Sequence, residues 1–151
     1  MFMKMNSMIN NFSVVIPVFN EEEIFLESAD KIFKICQEMN MPFEIIFSEN
    51  GSLDNTKNLI RDFIEDKDNC FMINSNYANY GLALKNGFKN AKNELVISFD
   101  IDYFSKQFLE QAIQLDEKFD IREFHNQILN SGSLPLVLLE KKIEDWIKTQ
   151  M

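Results

Sequence analysis

Apolar positions along this chain come in short unbroken runs, each followed by a stretch with helical spacing. The run "FSVVIPVF" at Phe12–Phe19 is rich in β-branched residues and has no polar alternation. That pattern predicts a strand covered on both faces, as in parallel sheets. It stops at Asn20, and "NEEE" follows; Asn20 as N-cap with Glu23 at N3 matches a capping box. Ile24, Ser28, Ile32, Ile35 and Met39 then repeat at helical spacing. "FEIIFS" (Phe43–Ser48), "CFMINS" (Cys70–Ser75) and "ELVISF" (Glu94–Phe99) read as three more strands. Between them lie helical patterns on Thr56, Leu59, Ile60, Phe63 and Ile64, and on Leu84, Gly87, Phe88 and Ala91. Alternating strands and helices with short connections predict a doubly wound α/β sheet with right-handed crossovers.

Beyond "FDIDYF" the pattern becomes helical. Phe104, Phe108, Ala112 and Leu115 predict one helix, and Ile121, Phe124, Ile128 and Leu129 a second. After the break "NSGSLP", Leu136, Leu139, Ile143, Trp146 and Ile147 mark a terminal amphipathic helix. Trp146 reads as core at that spacing, and the lone His125 as a surface or half-buried helix residue.

Composition narrows the function classes. The 151 residues suffice for one domain with a sizeable core. Fifteen basic against twenty-four acidic residues give a net charge of −9, which argues against a nucleic-acid partner. An anionic small ligand would need backbone donors or a divalent cation to offset repulsion. No apolar run reaches the roughly 18–20 residues of a membrane-spanning helix. The N-terminus lacks a signal-peptide core, so the chain reads as cytoplasmic. Cys36 and Cys70 form no CxxC pair and read as buried free thiols.

In an open parallel sheet, ligands bind beyond the carboxyl ends of the strands. Asp100 and Asp102, one residue apart after the fourth apolar run, would project to one side if they continued the strand. They read either as a pair for a hard cation such as Mg²⁺ or Mn²⁺, completed by substrate phosphates, or as a solvated turn. In "SENGSLDNT", Gly51 permits a tight or left-handed turn and Ser52 can cap the next helix. Glu49 or Asn50 would then sit beyond the strand, able to meet the edge of a base or sugar; the other reading is a routine turn. Glu22 is either a surface acid suiting the helix dipole or a pocket carboxylate. Gly81 at a helix start with Lys85 one turn in can meet an anion, although neither dinucleotide nor P-loop fingerprints occur.

In order and spacing, "VVIPVFNEEE", "FEIIFSENGSLDNT" and "NYGLALKNGFKNAKNELVISFDIDY" resemble the N-terminal half of a family-2 glycosyltransferase, nearest in character to the dolichyl- or polyprenyl-phosphate sugar transferases. The resemblance spans about Ser13–Asp116. It implies a truncated GT-A (Rossmann-like), mostly parallel sheet with flanking helices, followed by a helical C-terminal tail. The implied division is a nucleotide-sugar-binding half-domain over 1–117 and the tail over 118–151. By the same resemblance, Pro17, Asn20 and Glu22 belong to the nucleotide pocket, and Asp54 matches the acid of its S-x-D-x-T segment. Glu49 and Asn50 stand where the family often has two aspartates contacting the base. Asn79, Gly81 and Lys85 flank the donor phosphates, and Asp100 and Asp102 hold Mg²⁺ or Mn²⁺ on the diphosphate. The implied partners are a nucleotide-diphosphate sugar and a polyprenyl-phosphate or glycan acceptor, which would add a peripheral place at the membrane.

A family-2 catalytic domain is expected to continue for about another hundred residues beyond this D-x-D. In their place, Lys118–Ile147 resembles the C-terminal tail of an uncharacterised bacterial family related to zinc carboxypeptidases, without the H-E-x-x-H that binds zinc. Two further readings stay open. One is a catalytically incompetent truncated or fused remnant that binds at most. The other is a haloacid-dehalogenase-like phosphatase, which also places D-x-D after an apolar strand but on its first strand.

Overall fold

The computed structural model describes residues 10–115 and 135–150. They fall in two compact units, residues 1–106 and 107–151. The first contains a four-stranded parallel sheet built from β1 (Phe12–Val18), β2 (Phe43–Glu49), β3 (Cys70–Asn74) and β4 (Leu95–Ser98), in the order β3-β2-β1-β4. Helices α1 (Phe25–Glu38), α2 (Thr56–Ile64) and α3 (Tyr80–Asn90) connect them.

Every residue of β1 is buried, which is why its sequence shows no polar alternation. Its register sorts side chains onto two faces. Ile16 pairs with Phe47 and Phe12 with Phe43. Phe47 packs edge-on against Phe25 of α1 and Phe63 of α2, at centroid distances of 5.2 and 5.8 Å. Aromatic packing thus fills the face toward α1 and α2. The opposite face carries Ser13, Val15 and Pro17 of β1 with Glu44, Ile46 and Ser48 of β2. There α3 lies unusually close: a Cβ on Gly87 would stand 2.2 Å from Val15 Cγ1. Ser48 Oγ donates to the Ala83 carbonyl at 2.7 Å, fixing the helix along its length.

At the amino-terminal edge of the sheet a buried polar network closes the same face. Glu44 Oε1 accepts from Ser13 Oγ and from the Lys92 N–H, each at 2.6 Å. Asn93 Nδ2 donates to the Phe12 carbonyl at 2.7 Å. Cys36 and Cys70 are both free and buried, and burial pushes both thiols up to about 12.

In the second unit, α4 (Lys106–Leu115) and α5 (Leu136–Gln150) are the described helices. Trp146 and Ile147 are buried with Ile143 packed against them, the core stripe expected from their spacing. The helix expected over Ile121–Leu129 and the lone His125 lie outside the described residues. No described helix is long and apolar enough to cross a membrane.

Candidate functional site at the carboxyl ends of β1 and β4

β1 lies between β2 and β4, so the chain leaves β1 toward one neighbour and returns on its other side much later. Such a reversal opens a crevice beyond the carboxyl ends of the strands. A cavity of about 370 Å³ lies there, within the usual range for small-molecule sites. Pro17, Val18, Phe19 and Glu21 line it from the end of β1, and Asn50 from the end of β2. Tyr80 enters from the first turn of α3, and Asp100, Ile101 and Asp102 from the turn after β4.

The loops after β1 and β2 hold each other. Asn20 adopts a left-handed backbone (φ 55°). Its N–H donates to Ser52 Oγ at 3.0 Å, and its Oδ1 accepts from the Leu53 N–H at 2.8 Å. The Glu22 N–H donates to Asp54 Oδ2, while Glu22 Oε2 accepts from the Asn55 N–H at 2.8 Å. The Glu21 N–H donates to Thr56 Oγ1 at 2.8 Å. Burial pushes the Asp54 carboxyl up, but hydrogen bonds from Thr56 and from the Glu22 N–H outweigh it and hold the group below its ordinary value. Asn20 is therefore no N-cap: α1 starts four residues later, with Ile24 at the cap position and no side-chain cap. Nor does Ser52 cap α2, whose first N–H, on Thr56, is held by Asp54 Oδ1 at 3.0 Å. In both loops, bonds to the neighbouring loop replace the local capping expected from the sequence.

Glu49 ends β2 instead of lying beyond it, because the pairing of β1 with β2 continues to Val18 and Glu49. It is 1% exposed, with Oε1 accepting from the Ser52 N–H at 2.5 Å and Oε2 without a partner among the described residues. The next residue, Asn50, is the one that reaches the cavity. Its N–H donates to the Val18 carbonyl at 2.9 Å, and its Oδ1 accepts from the Asn79 N–H at 2.6 Å. Gly51 makes the turn with φ +75°, and a Cβ there would stand 2.8 Å from the Tyr77 carbonyl carbon. Asn79 caps α3, accepting from the Leu82 N–H at 2.9 Å. A Cβ on Gly81 would make only an ordinary contact, 3.7 Å from Asn79 Oδ1, and Lys85 is exposed on α3; neither lines the cavity.

Asp100 and Asp102 stand in a turn after β4, closed by Tyr103 N–H donating to the Asp100 carbonyl at 3.1 Å. The alternation expected for a strand persists through the turn: Ile101 is 4% exposed while both aspartates are exposed at the cavity. Phe99 and Phe104 pack 4.2 Å apart beneath the turn. The Tyr80 hydroxyl donates to Asp100 Oδ1 at 3.0 Å. Burial first, then the bond to and charge of Asp100, push the Tyr80 hydroxyl up, so it stays a donor.

Besides the apolar Val18, Phe19 and Ile101, sequence reasoning passed over two polar lining residues. Glu21 sits in "NEEE", where no periodicity separates one acid from the next. Its carboxyl is pushed up, by burial and then by the charges of Asp102 and Asp54. Tyr80 meets Asp100 across 20 residues, a closeness only the fold creates. Among the described residues no Lys, Arg or His lines the cavity, so this part of its wall is acidic. No group of three or more acid, His or Cys side chains among the described residues is placed to hold a metal ion. The protein thus offers two exposed hard carboxylates, a donor set that fits a cation taking its remaining ligands from phosphates and water.

A four-stranded parallel sheet with flanking helices and a cavity at the reversal of strand order matches the GT-A type of fold. The family model "Glycosyl transferase family 2" matches residues 13–121, and the chain belongs to that family. It is 35% identical over 97 residues to the undecaprenyl-phosphate 4-deoxy-4-formamido-L-arabinose transferase of Proteus mirabilis (strain HI4320), covering 62% of this chain and 29% of that protein. The Serratia proteamaculans (strain 568) enzyme of the same name is 33% identical over the same shares. The chain spans less than a third of the length of these relatives. Among solved structures, S. aureus TarS aligns at a TM-score of 0.58 and 25% identity, over 72% of this chain and 20% of that one. The mannosyltransferase PcManGT from Pyrobaculum calidifontis, in complex with GDP-Man and Mn²⁺, aligns at 0.57 and 22% identity, over 73% of this chain and 32% of that one.

Proposed function

We propose that this chain binds a nucleoside-diphosphate sugar in the β1/β4 cavity with Mg²⁺ or Mn²⁺ at Asp100 and Asp102, for transfer of the sugar to a polyprenyl-phosphate acceptor. One observation carries the donor side. The cavity has the size of a small-molecule site, lies at the reversal of strand order, and is lined by Glu21, Asp100 and Asp102 with no basic side chain among the described residues. A diphosphate entering an acidic wall needs a cation between the two sets of charges. Bound there, the ion would supply Lewis-acid neutralisation of the leaving diphosphate.

This chain's own residues then have distinct tasks. Asn50, with Oδ1 spent on the Asn79 N–H, keeps its amide donors for a base or sugar. Pro17 and Val18 form the apolar floor under such a group. Asn20, Glu22 and Asp54 act one step back, holding the β1 and β2 loops in register. Asn79 caps the helix that carries Tyr80. The undecaprenyl-phosphate acceptor in the relatives' names supports a lipid-phosphate acceptor, and with it a peripheral place at a membrane.

A melting experiment tests the reading. A uridine- or guanosine-diphosphate sugar with Mn²⁺ raises the Tm, by about 2.7 kcal/mol of linkage at a hundredfold excess over Kd. Asp102→Ala removes that rise without lowering the Tm of the unliganded chain. An equal rise with and without metal overturns the metal-dependent reading. A metal-dependent rise without sugar transfer to polyprenyl phosphate reduces the function to donor binding.

A further inference from the structure

Among the described residues, Tyr80 ties the first turn of α3 to the turn after β4 across the cavity. We propose that it is a positioning residue, whose hydroxyl holds the Asp100 carboxylate in the orientation that receives a divalent cation; the inference rests on the donor-site reading above. Three observations carry it. The hydroxyl donates to Asp100 Oδ1 at 3.0 Å, and Asp100 lines the cavity. The tyrosine backbone is fixed from below, because α3 is capped by Asn79, tied to Asn50, and seated on Val15 through Gly87. The aspartate, in contrast, is exposed in a turn after a four-residue strand, with nothing else among the described residues bonded to its carboxylate. A carboxylate free to rotate must be ordered before it can bind an ion. A donor standing on a rigid helix has already ordered it.

Partners that orient a metal ligand commonly change metal affinity by about 10–100-fold when removed. Tyr80 is 54% exposed, so water competes and a smaller effect, about 3–10-fold, is expected. The test measures free Mn²⁺ by electron paramagnetic resonance while the ion is titrated into the full chain with UDP, and separately with GDP. Tyr80→Phe raises the Mn²⁺ dissociation constant about 3–10-fold, and Tyr80→Leu raises it no further, since the hydroxyl is what acts. Tyr77→Phe, which alters another exposed phenol, leaves it unchanged, and urea midpoints of all three variants stay near the parent value. Equal Mn²⁺ affinity in Tyr80→Phe and the parent overturns the proposal and leaves the donor-site reading intact. Loss in Tyr80→Leu but not in Tyr80→Phe also overturns it, because the ring and not the hydroxyl would then matter. No Mn²⁺ uptake by the parent with either nucleotide overturns both.

Discussion

The two edges of the sheet use the same residue types to opposite ends. At the amino-terminal edge Glu44 is 5% exposed, and Ser13 and the Lys92 N–H satisfy it. At the carboxyl edge Asp100 and Asp102 stand exposed, with Tyr80 alone among the described residues bonded to the first. A buried carboxylate must be paired or it costs several kcal/mol, so the first edge is closed by necessity. The second leaves its carboxylates to water, which keeps them available for a ligand. The carboxyl edge is itself divided. Between β1 and β2, Asn20, Glu22 and Asp54 are consumed by loop-to-loop bonds, whereas between β1 and β4 the acids face an open cavity. Polar density alone therefore does not mark a site; what marks it is polar density that the fold leaves unspent.

Three substitutions probe that contrast, beginning with the largest effect. Glu44→Ala strands the Ser13 hydroxyl and the Lys92 N–H inside the protein. A urea titration is expected to show a loss of about 2–6 kcal/mol, at about 1–3 per stranded group. The variant, once folded, should keep the nucleotide-dependent Tm rise; losing it would mean the two edges are coupled. Gly51→Ala tests the brace between loops. At φ +75° and 2.8 Å from the Tyr77 backbone, a methyl group is strained twice over. A loss of about 1–3 kcal/mol is expected, and a neutral result would show that this turn relaxes freely.

The smallest effect belongs to Asp54→Asn, expected to cost about 1 kcal/mol at neutral pH. The depressed carboxyl of Asp54 contributes stability that is present above its ordinary unfolded value and is lost as pH falls through the depressed folded one. The difference between parent and variant should therefore shrink toward zero in acid. A difference that stays constant with pH would assign the effect to shape and not to charge.

Much of this contrast is legible in the sequence, for physical reasons that can be named. A strand buried on both faces reads as a nearly continuous apolar run, and β1 and β2 do, apart from the polar residues Ser13, Glu44, Ser48 and Glu49. Residues following such runs collect at one edge, so Asn50, Asp100 and Asp102 could be placed together before any coordinates. The roles of single loop residues could not. Asn20 sits in a flawless capping-box pattern, yet Ser52 and Leu53 of a loop more than thirty residues away claim its polar atoms. Local spacing carries no trace of that competition. Glu49 falls one residue short of the cavity because strand pairing runs one residue further than its apolar run. Tyr80 enters only because the first turn of α3 meets the turn after β4, at Asp100, which no periodicity encodes.

The seating of Gly87 on Val15 has a consequence for how such a cavity can change over evolutionary time or in the laboratory. A helix pressed onto a strand without room for a methyl group behaves as the fixed jaw of a vice. The opposing jaw is the short turn of Asp100–Tyr103, carried on the end of a four-residue strand. Variation that resizes the opening should accumulate in that turn and in the Phe19–Glu21 segment. Substitutions along the buried side of α3 would have to displace β1 first, and with it the centre of the sheet.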